Sequence, residues 1–381
     1  MAYRILLAGG GTGGHIYPLV AVAEELKNPA ISSGGEPPEI KFAGSGDLLK
    51  QAASEAGFET VLILSSKWRR YFSFQNFVDI FKFPIGFFQA LYNIWLFMPD
   101  VIFAKGGYAS LLPTLAGKIF AVPIVIHESD SIPGKVNVLL GKWARKVFLS
   151  FESSKKYFNE SKCEVVGNPV RKGLLAGGDK SAALGAFSLN PAKPAVLITG
   201  ASQGAKKINE VLALALVELT KKFQVIHQSG PKNYDEMNKQ VISIIKEGKE
   251  IFGSQIQNNY RLYPLLNSNQ LALAYAASDV VISRASSQVF EMAAVGKPVI
   301  VVPLKDSAGD HQLANAREFA KFGAIVIEEE NLTPHILINE IEKAFENRAE
   351  LSQKIKQLAR PDAAKTVAAE LLKIISTIPN V

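Results

Sequence analysis

The chain has 381 residues, 48% of them hydrophobic and 20% charged, which excludes a disordered chain and exceeds what one ordinary core holds. Its net charge of +7 divides into +3 over residues 1–167 (17 basic, 14 acidic) and +4 over 168–381 (25 basic, 21 acidic), so no basic block marks a nucleic-acid partner, while the mild excess suits phosphates or an anionic lipid surface. A single cysteine, Cys163, excludes a disulfide framework within the chain and a cysteine-based zinc site.

The first apolar stretch runs straight into glycines, without the basic region and long apolar run of a signal peptide, so a cytoplasmic home is expected. Short apolar segments then alternate with helical ones to the end of the chain. Strands are predicted at 3–8, 40–43, 60–64, 101–104, 124–127, 146–149 and 164–166, and in the second half at 195–199, 223–228, 280–283, 299–302 and 324–327. Two runs of this kind imply two doubly wound α/β domains with parallel sheets. Gly167-Asn168-Pro169 marks the junction, because proline forces the residue before it into an extended turn. The domains are therefore 1–167 and 168–360, with a surface insertion at 28–38 and an apolar-spaced final helix at 363–378.

In such sheets ligands sit beyond the carboxyl ends of the strands, so the loops there carry the chemistry. The first strand empties into Gly9-Gly10-Gly11-Thr12-Gly13-Gly14-His15, with Pro18 starting a helix. Glycines let the backbone approach a ligand closely, and helix-start N–H groups attract anions. Gly9, Gly11 and Gly14 match the dinucleotide pattern G-x-G-x-x-G, but the second strand ends in Gly44-Ser45-Gly46 rather than the acidic residue that would hold a ribose. A dehydrogenase loses its support there.

Residues 68–97 hold 12 of the chain's 35 aromatics, among them Trp68, Phe72, Phe87, Phe88 and Trp95, punctuated by Lys67, Arg69, Arg70 and Lys82. The uncharged stretch 83–99 contains Pro84 and falls short of the ~20 apolar residues of a spanning helix. Phe77, Phe81, Phe88 and Trp95 have the spacing of one core face of a helix, and two tightly packed helices broken at Pro84 are the plain alternative to a membrane role. Apolar groups nevertheless surround 85–97 on every side, and with the flanking cations this predicts insertion at a membrane interface.

Further strand ends lead into Lys105-Gly106-Gly107-Tyr108, into His127-Glu128-Ser129-Asp130 with Pro133-Gly134 and Asn137, and, in the second domain, into Gly200-Ala201-Ser202-Gln203-Gly204. The last has small residues whose N–H groups, with the Ser202 hydroxyl, suit phosphate oxygens. Ser283-Arg284-Ala285-Ser286 leads to Glu291, a carboxylate able to chelate two ribose hydroxyls or, alone, to face a helix N-terminus. His311-Gln312 and Asn315 suit sugar hydroxyls.

Taken together, these residues resemble the MurG-type N-acetylglucosaminyltransferases of peptidoglycan synthesis. The resemblance is carried, in order, by Gly10–Gly14 with His15, Gly106-Gly107-Tyr108, His127-Glu128 with Gly134 and Asn137, Gly167-Asn168-Pro169-Val170-Arg171, Ser202-Gln203-Gly204-Ala205, Ser283-Arg284-Ala285 with Glu291, and Asp310-His311-Gln312 with Asn315-Ala316. It spans residues 10–316. It implies a GT-B fold, two Rossmann-like domains facing across a cleft, with the final helix packing back on the first. It implies UDP-GlcNAc as donor and undecaprenyl-linked lipid I as acceptor, at the inner face of the cell membrane, with other cell-wall synthesis proteins as partners.

By the same resemblance, Glu291 would bind the ribose, Ser202, Gln203 and Gly204 the diphosphate, and Arg171 the nucleotide end. Leu266 would offer its backbone to uracil, and His311 and Gln312 would contact the sugar hydroxyls. Thr12, Gly13, Gly14 and Arg284 complete the donor set, and His15, Tyr108, Glu128 and Asn137 line the acceptor side. Ala201 and Ser286 stand where the family has glycines, and Ser129-Asp130 where it commonly has Gln-Asn. The chemistry needs a base for the acceptor hydroxyl, for which His15, Glu128 and Asp130 are the candidates. No D-x-D motif is present, so neither a fixed metal nor a tightly bound cofactor is expected. A sugar-nucleotide 2-epimerase and a non-catalytic nucleotide-sugar-binding scaffold are the alternatives.

Overall fold

Segments such as Ile5-Leu6-Leu7-Ala8 and Val196-Leu197-Ile198 have no polar face, so each is satisfied only as a strand covered by helices on both sides. All of these side chains are buried. The computed structural model describes residues 2–31, 36–65, 74–175, 178–200, 204–305, 307 and 309–377, with the backbone alone at 74–81 and 249–251. Among them, two wholly parallel sheets form. The first joins β1 (Arg4–Gly10), β2 (Glu39–Ser45), β3 (Glu59–Leu62), β4 (Val101–Ala104), β5 (Ile124–Glu128), β6 (Lys146–Leu149) and β7 (Cys163–Val165) in the order β3-β2-β1-β4-β5-β6-β7. The second joins β8 (Ala195–Thr199), β9 (Gln224–Gln228), β10 (Tyr260–Tyr263), β11 (Val280–Ser283), β12 (Val299–Val301) and β13 (Ile325–Val326) in the order β10-β9-β8-β11-β12-β13. Each order reverses once, between β1 and β4 and between β8 and β11, and the strand ends flanking a reversal are where such sheets open to ligands. This pair of doubly wound domains is the GT-B architecture.

The chain divides into two compact units, Met1–Arg171 with Arg360–Val381, and Lys172–Ala359. In the first, helices Gly13–Leu26 and Ala363–Ser376 cover one face of the sheet. The latter buries Ala364, Val367, Ala368, Leu371, Ile374 and Ile375, the three-and-four spacing of one helical stripe. Each large aliphatic side chain there contributes about 1.5–3 kcal/mol. In the second unit the core lies between β8, β9, β11 and helices such as Lys206–Lys222.

Three local features differ from the sequence expectation. Strand β10 has no strong signal, being four residues with Arg261 among them at the end of the long polar helix Tyr234–Asn259. The first helix starts at Gly13 and carries Pro18 inside it, because Thr12 in an extended conformation sets the entry and the glycines build the first turn. The helix Phe74–Phe97 runs through Pro84 without breaking. Its inner face explains why: Gly86 packs on the Leu64 backbone, and Ala90, Ile94 and Phe97 follow on the same side, fully or nearly buried.

That helix turns Phe88 and Trp95 outward, against the core-face reading of their spacing. They are 68% and 59% exposed, and Ile85, Tyr92 and Leu96 join them in one outward stripe. Phe87 is half-buried, with its ring 6.5 Å from that of Phe83. Trp68 and Phe72 lie outside the described residues, and the side chains of Phe77 and Phe81 likewise. Among the described residues no helix is long and apolar enough to cross a membrane.

Candidate active site

At the reversal of the first sheet, the ends of β1, β4 and β5 interlock. His15 is the third residue of the helix that follows β1; its N–H donates to Thr12 O (3.1 Å) and its Nδ1 lies 3.2 Å from Lys105 O. A carbonyl only accepts, so Nδ1 carries a proton, and in the neutral ring the lone pair is on Nε2. Gly107 makes this packing possible: it has φ +75°, and a Cβ there would stand 3.2 Å from the imidazole. Gly106, at φ +89°, faces Asn137 in the same way, its Cβ position 2.6 Å from the amide. Tyr108 opens helix Tyr108–Ile119 and lays its ring against Gly11.

Glu128 ends β5 and is buried. Its Oε1 accepts the Asp130 N–H (2.8 Å), and its Oε2 accepts the Gly134 N–H (3.1 Å) and Asn137 Nδ2 (2.9 Å). The carboxylate therefore shapes the loop that carries Asp130. Burial, seconded by the charge of Asp130, raises its pKa to about 7, while the loop hydrogen bonds and Lys105 pull the other way. Asn137 Nδ2 also reaches His127 O (3.1 Å). His127 donates from Nε2 to Gly167 O (2.8 Å), and burial, with the neighbouring Lys105 charge, keeps the imidazole neutral. Lys105 itself is fully buried, and burial lowers its pKa to about 8 against the opposing pull of Glu128 and Asp130.

At the reversal of the second sheet, amides dominate. Gln228 at the end of β9 donates from Nε2 to Thr199 Oγ1 (3.2 Å) and accepts the Leu266 N–H on Oε1 (2.9 Å). Glu291 sits one turn into helix Gln288–Ala294, its Oε2 3.4 Å from the Tyr275 hydroxyl, which also accepts from Gln288 Nε2 (3.0 Å). Arg284 turns to Glu329 (2.7 Å) and Val302 O (3.2 Å) and is buried. The Ser286 hydroxyl accepts the Gln288 N–H (3.4 Å), so the side chain at this position helps start the helix. His311 begins helix His311–Ala320; Gln312 accepts the Leu304 N–H (2.9 Å), and Asn315 donates to Ala285 O (3.3 Å). Gly204 leads into helix Lys206–Lys222, whereas Ala201, Ser202 and Gln203 lie outside the described residues. Among the described residues no group of three His, Cys, Asp or Glu side chains is placed to hold a metal ion.

The N-terminal domain of glycosyltransferase family 28 matches residues 5–149, and the C-terminal domain of the same family matches 195–368. Two curated relatives are each named UDP-N-acetylglucosamine--N-acetylmuramyl-(pentapeptide) pyrophosphoryl-undecaprenol N-acetylglucosamine transferase. That of Flavobacterium psychrophilum is 34% identical over 98% of this chain and 98% of its own. That of Treponema denticola is 32% identical over 99% and 98%. The chain belongs to the MurG family of glycosyltransferases.

Among solved structures, MurG of Acinetobacter baumannii aligns with a TM-score of 0.67 at 23% identity, over 97% of this chain and 99% of that one. A UDP-GlcNAc 2-epimerase of Neisseria meningitidis, bound to UDP-GlcNAc, aligns at 0.66 with 16% identity, over 97% and 100%. The fold therefore does not separate MurG proteins from epimerases; the sequence does.

The first unit brings together His15, Tyr108, Glu128, Asp130 and Asn137, with Thr12, Gly13 and Gly14 at the helix start. Arg171 belongs to this unit as well, buried and stacked 3.8 Å over the ring of Tyr17. Sequence reasoning gave no role to Lys105, Tyr17, Gln228, Tyr275 or Glu329. Lys105 had a usable signal, a lysine directly after four buried strand residues near the middle of a sheet, where its side chain has only the interior to enter. Glu329 had none, since it meets Arg284 from 45 residues away.

Proposed function

We propose that the chain transfers N-acetylglucosamine from UDP-GlcNAc to the C4 hydroxyl of MurNAc in lipid I, with inversion at the anomeric carbon, giving lipid II and UDP. The observation that carries this is identity of 32–34% to transferases of that name along 97–99% of the chain. Residues 1–167 with the final helix take the acceptor, and residues 168–360 take the donor. UDP-GlcNAc is a substrate, and no resident cofactor or metal is assigned.

In the transfer, the acceptor oxygen attacks the anomeric carbon as the bond to the diphosphate breaks, and UDP leaves with the electron pair. The hydroxyl proton goes to His15 Nε2. In support of His15, its Nδ1–H is held on Lys105 O, so the lone pair sits on the other nitrogen. The oxygens of Glu128 already accept from two loop N–H groups and the Asn137 amide, which makes it the weaker candidate. Asp130 lies beside them as a charge on the acceptor side. Charge growing on UDP is met by N–H groups of the Ser202-Gln203-Gly204 segment. Glu291 takes the ribose, Leu266 the uracil, and His311 and Gln312 the sugar hydroxyls. Arg284 supports this set through its pair with Glu329.

The acceptor is anchored in lipid, so the enzyme must work at a membrane surface, here the cytoplasmic one, as a peripheral protein beside other cell-wall synthesis proteins. The outward stripe Ile85, Phe88, Tyr92, Trp95 and Leu96 supports this, being a contiguous exposed aromatic and aliphatic face of the kind that marks an interaction surface. Incubation with UDP-GlcNAc and a short-chain lipid I analogue is expected to yield UDP and a β-linked disaccharide product. Epimerised sugar nucleotide without transfer, or binding without turnover, would overturn the assignment.

A further inference from the structure

We propose that Lys105 is a positioning residue of the acceptor site, its buried ammonium serving as the fixed counter-charge of Glu128 and Asp130 while its carbonyl holds the His15 ring. This rests on the transfer activity proposed above and adds a residue to it.

Lys105 follows β4 at the sheet reversal, is 0% exposed, and its Nζ has no hydrogen-bond partner among the described residues. Buried polar groups are nearly always hydrogen-bonded, and a buried ammonium without such bonds is costly. A leucine or methionine would fill the same space without that cost, so packing does not account for a lysine here. What the position does offer is opposite charge, from Glu128 and Asp130. The backbone of the same residue is pinned on both sides: its N–H donates to Ala8 O (3.0 Å), and its carbonyl accepts from His15 Nδ1 (3.2 Å). The base and the counter-charge are thus tied to one residue.

The titratable groups that face Lys105 are His15 from the first helix, His127 and Glu128 on β5, and Asp130 in the following loop. Lys105 favours the ionised form of Glu128, whereas Asp130 disfavours it. Without the ammonium, Glu128 takes up a proton at higher pH and becomes a poorer acceptor for the Asp130 and Gly134 N–H groups. The loop carrying Asp130 then loses its shape. Removing Asp130 should act in the opposite sense. A side chain that only fills space predicts neither shift.

The test uses the full chain and measures kcat/KM for the lipid I analogue against pH. In Lys105→Met the acid limb is expected to move up by about one unit or more, and in Asp130→Asn to move down. KM for UDP-GlcNAc should change by less than about twofold, since 1.4 kcal/mol is needed for each tenfold change and no donor contact is removed. Limbs that stay in place, or that move the same way in both variants, overturn the proposal. A second readout needs no turnover. The folded ammonium loses its proton near pH 8 and the unfolded one near 10.5, so its cost to the fold is present below pH 8 and relieved as pH rises to 10.5. The Tm difference between Lys105→Met and wild type should therefore change across that window, and a constant difference overturns the proposal. Lys105→Gln replaces the methionine variant if the latter does not fold. A wild-type protein that shows no transfer would instead refute the assigned activity, and the Tm comparison would still test whether Lys105 carries a buried charge.

Discussion

The two units share one topology and place their polar residues at the same point of it, yet they fill that point differently. In the first, the residues at the sheet reversal are titratable: Lys105, His127 and Glu128 are buried together, with His15 half-buried against Lys105 O and Asp130 at the edge. In the second, the same region is filled mainly by amides, hydroxyls and an arginine paired with its own carboxylate, through Gln228, Thr199, Tyr275 and the Arg284–Glu329 pair, with Glu291 beside Tyr275. The contrast suits a division of labour. Moving a proton needs groups whose charge changes near neutral pH, whereas gripping a nucleotide needs fixed donors and acceptors whose charge does not.

Substitutions on either side can break that contrast. The largest effect is expected for His15→Ala, with kcat at saturating acceptor falling about 10²–10⁴-fold and donor KM nearly unchanged. Near-normal turnover would remove His15 as base and leave the first unit without its proposed proton acceptor. Glu329→Ala leaves Arg284 buried without its carboxylate and should cost the second unit about 3–5 kcal/mol, read as a lower urea midpoint. A midpoint within experimental error of wild type would mean that the arginine is not locked there for stability. Glu291→Ala should raise KM for UDP-GlcNAc about 10–100-fold, in keeping with one or two charged hydrogen bonds to the ribose. A fall in kcat with KM unchanged would instead place chemistry in the second unit. The smallest effect on the fold is expected for Phe88→Ser combined with Trp95→Ser, within about 0.5 kcal/mol because both side chains are exposed. Binding to anionic liposomes should nevertheless drop, and unchanged binding would detach this stripe from the membrane.

Most of the strands were legible because a strand buried on both faces must be apolar at every position, as in Ile5-Leu6-Leu7-Ala8, Val101-Ile102-Phe103-Ala104 and Val280-Val281-Ile282. Where that rule relaxes, at the edge strand Tyr260–Tyr263, the signal faded. Proline misled twice: Pro18 and Pro84 read as a helix start and a helix break, yet both lie inside helices held by packing. The loops with chemistry were found from their glycines and polar residues, but their partners were not. Gln228 under Leu266, Glu329 on Arg284 and Tyr17 beneath Arg171 each come from a distant part of the chain.

The sequence by itself determined the alternation of strands and helices, the glycine-rich strand ends and the family, since these depend on local composition and spacing. The tertiary structure decided which charges face each other and which ring nitrogen of His15 carries the proton. It also decided which face of the helix Phe74–Phe97 is outward. Electrostatics and burial act through space, so a lysine after four apolar residues is only a lysine until β5 brings Glu128 beside it.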